Sequence, residues 1–360
     1  MNAQPYVTFV SYFRNDGYTN DFDLRVRRAT RFLVRQLQRA GVDAELVLVE
    51  WNPPAGDTLL IDSLGPLPQG GCVQVRGIVV GETHHLKFRG AREWGMNPAA
   101  AANVGLRRAT GRFVSPKAAD SYLSDEIVGF LARRDLAANA MYRCDRHDVV
   151  LGTVELREAD DAVLLRRLQS LESTPHDHMP PPPHWHIRDL HTNACGDFLL
   201  MSGSLWHTLR GFPLDDTVLS LDCDSMIMHA AAALGVREVC LPPACRVYKG
   251  THARLFSNRI TQVFSPWQAM VDNGLARLRW WRLQTLSRGY FDYPKRKVRG
   301  VEGVLAPSIE RHFVMPAEQW TKGAAPELDQ PESWGLGDQA LEERILCRAG
   351  WASTSSAAVA

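Results

Sequence analysis

The 360-residue chain carries 41 basic and 40 acidic side chains, a net charge of +1 at pH 7; no global field draws it to nucleic acid. With 45% hydrophobic and 22% charged residues the composition is that of a globular protein and excludes wholesale disorder. No apolar run approaches the ~18 residues of a membrane span, no signal peptide is legible at the N-terminus, and seven cysteines without a CxxC pair speak against a disulfide framework or a cysteine-rich zinc site.

The elements alternate from the start. Tyr6 to Phe13 (YVTFVSYF) is a short run of β-branched and aromatic residues that predicts a buried strand. The polar cluster Arg14–Asn15–Asp16 follows it. In LRVRRATRFLVRQLQRAG, Ala29, Phe32, Leu33, Leu37 and Ala40 fall at helical spacing, with Gly41 as a closing residue. Ala44 to Val49 and Val73 to Val80 predict two more buried strands, the first ending in Glu50, Trp51 and Asn52. Pro98 to Thr110 predicts a helix and Arg112 to Ser115 a strand. Ser124 is suited to cap a helix with Asp125 and Glu126 in its first turn and Arg133 and Arg134 in its last.

Such alternation predicts a mostly parallel sheet covered by helices on both faces. Sheets of this kind bind ligands beyond the carboxyl ends of their strands. Arg14–Asp16, Glu50–Asn52 and Asp120 all follow predicted strands, so they are expected along one edge.

Residues 172–192 break the pattern. They hold five histidines, at 176, 178, 184, 186 and 191, with five prolines, and read as a polyproline-like, solvated loop. Further on come a strand over Phe198 to Met201, a short helix ending near Gly211, a helix from about Asp222 to Leu234, a strand near Val239, and a loop with Tyr248 and His252. Residues 277–299 carry eight basic side chains and one acid among five aromatic rings, a pattern of either a surface helix or a contact with a membrane surface or anionic acceptor.

Individual residues leave alternatives open. Asp120, between a strand and a helix, suits either a turn or a hard divalent cation shared with phosphates. His252 is either a loop histidine or a ligand to a transition metal such as manganese. Asp222 and Asp224 open a helix, as acids that complement its dipole or as a source of one general base in a cleft.

The stretch ANVGLRRATGRFVSPKAADSYLSDEI resembles the centre of nucleotide-sugar glycosyltransferases of the family 2 type, which have the GT-A fold: an Asn–x–Gly helix, a small–x–Gly turn and a strand leading into an Asp-x-Asp metal motif. FVSYFRND resembles their first-strand nucleotide loop and VEWNPP the second-strand end. CGDFLLMSGSLWHTLRGFP, DCDSMIMHAAAALG and VYKGTH resemble the acceptor-side half. YRCDRHDV and ESWGLGDQALEE look like segments of one subgroup.

The resemblance implies a GT-A, Rossmann-like domain over 1–255, with a nucleotide-sugar half to about residue 150 and an acceptor half from about 190. A C-terminal helical or irregular extension would cover 256–345, and a flexible tail 346–360. It implies that Ser11, Arg14 and Glu50 line the nucleobase and ribose pocket, and that Asn103 and Arg108 sit near the sugar nucleotide. Asp120 would ligate Mn²⁺ or Mg²⁺ bridging the diphosphate, with His252 completing the site. Asp224 would be the catalytic base, and Asp197 would face the acceptor or the donor sugar. Two positions depart from the pattern: Ala118 replaces the first aspartate of the metal motif, and Lys249–Gly250 precede Thr251–His252.

The expected activity is metal-dependent transfer of a sugar from a UDP- or GDP-linked donor to a hydroxyl acceptor (glycan, lipid-linked or small molecule), with inversion. A retaining course would not need Asp224 as a base. Ala118 favours the other reading, a catalytically weak sugar-nucleotide-binding or scaffold protein. A nucleotidyltransferase would carry a Gly-rich, lysine-containing phosphate loop after the first strand, and FVSYFRND has none. The expected location is the cytoplasm, with 277–299 as the peripheral membrane contact.

Overall fold

The computed structural model describes residues 4–16, 21–92, 94–178, 188–214, 223–251, 319–320, 322–326 and 330–350. His252, Asp222, His184, His186 and the segment 277–299 lie outside the described residues. In chain order the strands begin with β1 (Val7–Phe13), β2 (Ala44–Trp51), β3 (Val73–Val80), β4 (Phe113–Pro116), β5 (Ser121–Leu123) and β6 (Ala140–Arg143). They continue with β7 (Asp145–Val149), β8 (Ser173–His176), β9 (Leu199–Ser202), β10 (Arg237–Cys240), β11 (Arg246–Gly250) and β12 (Glu342–Cys347). The helices are α1 (Phe22–Arg39), α2 (Glu82–His85), α3 (Pro98–Arg108), α4 (Asp125–Ala132), α5 (Thr153–Arg157), α6 (Asp161–Ser170), α7 (Gly203–Leu209) and α8 (Cys223–Ala233).

Eight strands form the central sheet in the order β10-β6-β9-β4-β1-β2-β3-β12. Its middle, β4-β1-β2-β3, is wholly parallel, and β10 runs parallel to β6; the pairings of β9 and β12 are antiparallel. The expected α/β architecture, a mostly parallel sheet flanked by helices, is therefore present. The two-residue period of a strand divides its faces. Val7, Phe9 and Phe13 pack with Leu33, Val34 and Leu37 of α1 and Ile127 and Leu131 of α4. Val10 packs with the alanines of α3, Trp206 of α7 and Met226 to Ala232 of α8.

The central helix α3 explains the glycines around it. Asn97 caps it, its side chain accepting from the Ala100 amide at 3.0 Å, and Pro98 opens it. A Cβ on Gly105 would collide with Val10 of β1, and one on Gly111 would stand 2.6 Å from the Thr8 backbone nitrogen. These contacts account for the Asn–x–Gly and small–x–Gly pattern as packing needs.

Four further strands form a second sheet in the order β5-β11-β7-β8. Tyr122, Val149 and Tyr248 turn one face of it onto Phe32 of α1 and Leu164 and Leu168 of α6. Three sequence expectations change here. Tyr248 lies in a strand, not a loop, because β11 pairs with both β5 and β7. Ser173–His176 is a strand rather than part of a polyproline-like loop, since β7 takes up its backbone groups. Glu342–Cys347 is the edge strand of the central sheet, antiparallel to β3, so the boundary expected at 345/346 falls inside a strand.

Candidate active site

The strand order reverses between β1 and β4. Chain progress from β1 runs outward through β2 and β3, then returns to the other side of β1. In open α/β sheets such a switch point leaves a crevice beyond the strand ends. Residues 11–16 and 117–120 flank it.

On the β1 side, Arg14 donates from Nε to the Asn52 carbonyl at 2.5 Å and from Nη1 to Asp16 at 2.5 Å. Asn52, held at a φ of 47°, donates from its side chain to the Gly95 carbonyl at 3.0 Å. Arg14 thus ties the ends of β1 and β2 to the loop after β3. Ser11 is buried on the α1 face, in register with Leu48.

Glu50 is also buried, but both its oxygens are engaged: the Leu60 and Ile61 amides donate to them at 2.8 and 3.0 Å. Burial raises its pKa, against the lowering effect of those amides. Neighbouring Trp51 donates from its indole to His85 Nδ1 at 3.0 Å, while His85 Nε2 lies 2.9 Å from the carbonyls of Ala91 and Trp94. These partners fix a neutral tautomer with the proton on Nε2, and burial lowers the histidine pKa accordingly. His85 gave no signal in the sequence beyond being a histidine after a strand.

On the β4 side, Lys117 is buried and donates from Nζ to the carbonyls of Ala118 at 2.9 Å and Ser121 at 2.6 Å. It pins the turn that carries Asp120. Burial pulls its ammonium down to about 8, against the opposing charges of Asp120 and Asp197. Asp120 is 5% exposed, and its Oδ2 is buried with no hydrogen-bond partner. An unpartnered buried carboxylate oxygen costs several kcal/mol unless a ligand completes it.

The two other aspartates stand on the α8 side. Asp224 accepts the Gly196 amide on Oδ2 at 2.8 Å and the Ser225 amide on Oδ1 at 2.9 Å. Gly196 permits this approach, since a Cβ there would lie 2.9 Å from Asp224 Oδ2. Asp197 accepts Arg146 Nη1 at 2.5 Å and Lys249 Nζ at 3.1 Å. Burial would raise the Asp197 pKa, but Lys249 and Arg146 outweigh it and hold the carboxyl well below the usual carboxylate range. Tyr12 packs on the core cluster that holds Met226 and Ile227 of α8, so the end of β1 and the α8 side meet, and its pKa is raised first by burial and then by Cys223, Asp197 and Asp224.

Asn103 and Arg108 are engaged elsewhere. Asn103 exchanges two 2.7 Å hydrogen bonds with the Phe212 backbone. Arg108, in the last turn of α3, donates to the carbonyls of Gly335 at 2.6 Å and Leu336 at 2.7 Å. That turn leads into the start of β4, at the opposite edge from the crevice.

The segment YRCDRHDV carries site residues that the sequence reading had left without a role. Arg146 and Asp148 alternate onto the face of the second sheet that carries the buried Leu123 and Val247, opposite the face of Tyr122 and Val149. Register sets Arg146 opposite His176 and Asp148 beside Lys249. His176 Nε2 lies 3.1 Å from Asp148 Oδ2. The other described loop histidines also meet carboxylates, His178 with Asp189 at 2.7 Å and His191 with Asp145 at 3.6 Å. Among the described residues no group of three or more His, Cys, Asp or Glu side chains is placed to hold a metal ion. Nor is any helix among them long and apolar enough to cross a membrane.

No protein-family model matches the sequence, and no curated protein does. Among solved structures the chain is similar to S. aureus TarS. Against TarS 1–349 it is 13% identical over 74% of this chain and 64% of that one, with a TM-score of 0.41. The complex of the same TarS fragment with UDP-GlcNAc gives 10% identity over 88% and 79%, at 0.44. A further S. aureus TarS structure gives 14% identity over 78% of this chain and 44% of that one, at 0.39.

Proposed function

We propose that the protein is a glycosyltransferase that moves a sugar from a UDP- or GDP-linked donor to a hydroxyl acceptor, with inversion. One observation carries the reading: Asp120 keeps a buried carboxylate oxygen without a partner at the switch point of the sheet. A hard divalent cation takes oxygen ligands and shares them with a diphosphate, so the donor set fits Mn²⁺ or Mg²⁺ with Asp120 as a protein ligand and His252 as the proposed second. Such an ion, when bound, stabilises the negative charge that develops on the leaving diphosphate.

The chain's own residues do the rest. Ser11 and Arg14 border the nucleotide, with Glu50 and Asn52 shaping the wall behind them. Asn103 and Arg108, tied to Phe212 and to residues 335 and 336, take no part in the donor pocket. Lys117 fixes the turn carrying Asp120. Asp224, oriented by the Gly196 and Ser225 amides, keeps lone pairs for the acceptor hydroxyl proton and removes it as attack proceeds. Asp197 is a positioning residue that keeps Arg146 and Lys249 over the acceptor side. Residues 277–299 are proposed to meet the acceptor or a membrane surface.

Ala118 favours a second reading, a sugar-nucleotide-binding protein with little turnover. Thermal unfolding of the purified protein with UDP, GDP, CDP and dTDP, each with and without Mn²⁺, tests the first. A ligand that binds only the native state stabilises it by ~2.7 kcal/mol at one hundred times its dissociation constant. The expected result is a Mn²⁺-enhanced shift with UDP or GDP; no shift with any nucleotide would overturn both readings. A shift without donor hydrolysis or transfer would favour the second.

A further inference from the structure

Asp120 is not the only buried group near the crevice left without a partner. Arg25, in the first turn of α1, is 7% exposed. Its one hydrogen bond runs from Nη2 to the Leu151 carbonyl at a long 3.5 Å, while Nε and Nη1 are buried and unpartnered. Its neighbour Arg28 is paired with Asp161 at 2.8 Å, but no carboxylate among the described residues lies within ion-pair reach of Arg25. A buried guanidinium without a counter-charge costs several kcal/mol. Tyr122, whose hydroxyl is also buried and unpartnered, feels Asp120 and both arginines.

The ladder locates the gap. β5 and β11 pair antiparallel, with Ser121 opposite Lys249. One further step in that register sets Asp120 across from Gly250. Arg25 Nη1 packs directly on Gly250, where a Cβ would collide with it. An unpartnered carboxylate oxygen and a guanidinium with two unpartnered nitrogens therefore flank one step of the ladder without forming an ion pair. Something bearing both signs would satisfy both: an anion on Arg25 and a cation on Asp120. Glycine at 250, one of the two departures from the family pattern, is then the room that Arg25 needs.

We propose that Arg25 binds the diphosphate of the donor, its free Nε and Nη1 donating to non-bridging phosphate oxygens beside Asp120. This rests on the nucleotide-sugar reading above. Arginine suits such oxygens because its fork donates two parallel charge-assisted hydrogen bonds. The contact belongs to the chain itself, so part of the diphosphate affinity persists without a divalent cation.

Calorimetric titration in EDTA, with inorganic pyrophosphate, UDP and uridine as separate probes, tests this. Arg25→Gln is expected to weaken pyrophosphate and UDP by about 10- to 100-fold and to leave uridine unchanged. Arg25→Lys should restore part of the loss. Gly250→Ala, which displaces the guanidinium but keeps its charge, should weaken both phosphate ligands in a protein whose melting temperature shows it to be folded. Equal pyrophosphate and UDP affinity in wild type, Arg25→Gln and Gly250→Ala would overturn the assignment while leaving the donor reading intact. Wild type that binds no pyrophosphate would overturn it too. Arg25-dependent pyrophosphate binding without binding of any nucleotide diphosphate would uphold Arg25 and refute the donor reading.

Discussion

Asp224 and Asp197 show how two carboxylates near one tyrosine take different parts. Two backbone amides orient Asp224, and each of its oxygens retains a lone pair; Asp197 is neutralised by Arg146 and Lys249. Held ionised by these two cations, Asp197 is a poor proton acceptor. Asp224→Asn is expected to lower transfer by about 10²- to 10⁴-fold with nucleotide affinity unchanged, read by single-turnover transfer beside calorimetry. Equal transfer would remove Asp224 from the mechanism. Residue by residue the sequence was only partly legible. Asp120 stood out through its place after a strand, but Glu50, Asn103 and Arg108 resemble ligand-facing side chains in type alone. Their partners, the amides of Leu60 and Ile61, Phe212, and the carbonyls of residues 335 and 336, come from turns that no local pattern announces. For Arg108 the topology did hold a clue, since the last turn of a crossover helix lies at the edge opposite the strand carboxyl ends.

Among the elements, β1, β2, β3, α3 and α4 were legible because buried parallel strands read as apolar runs and helices carry their caps. The second sheet was not. DRHDV in β7 and RVYKG in β11 place charges among their buried positions, Arg146 paired with Asp197, which erases the hydrophobic signal, and β8 hides in a histidine- and proline-rich stretch. The edge strand β12 was invisible for another reason: its partner β3 lies more than 250 residues away in the chain. It covers the row of β3 backbone groups, and its last residue, Cys347, is buried. Truncation after Leu341 is expected to cost at least ~2 kcal/mol from lost apolar burial and to leave β3 open to edge pairing. Urea unfolding and size-exclusion profiles check this; an unchanged midpoint and a monomeric profile would show that the strand adds nothing.

For the whole molecule the nearly balanced charge gives pH dependence to buried histidines rather than to net repulsion. Burial, aided by Arg143, brings His191 down to about 4, and burial with Arg188 brings His229 to about 4. Both are neutral in the fold and gain protons in the unfolded chain near the ordinary value of 6.5. Their contribution is complete above about pH 6.5 and is lost as pH falls toward 4, by up to about 3 kcal/mol each. Urea midpoints measured from pH 7.5 to 4.5 should be flat at first and then drop; a flat profile throughout would contradict the burial of these rings as neutral groups.

The central claim is that Asp120 holds a divalent cation against a nucleotide diphosphate at the switch point of the sheet. Titration of UDP into wild type and Asp120→Asn with and without Mn²⁺ tests it most directly, with GDP run in parallel. Wild type should bind one of the two at least about tenfold more tightly with Mn²⁺, and Asp120→Asn should lose that gain while keeping the metal-free affinity. An equal Mn²⁺ gain in both proteins would contradict the account.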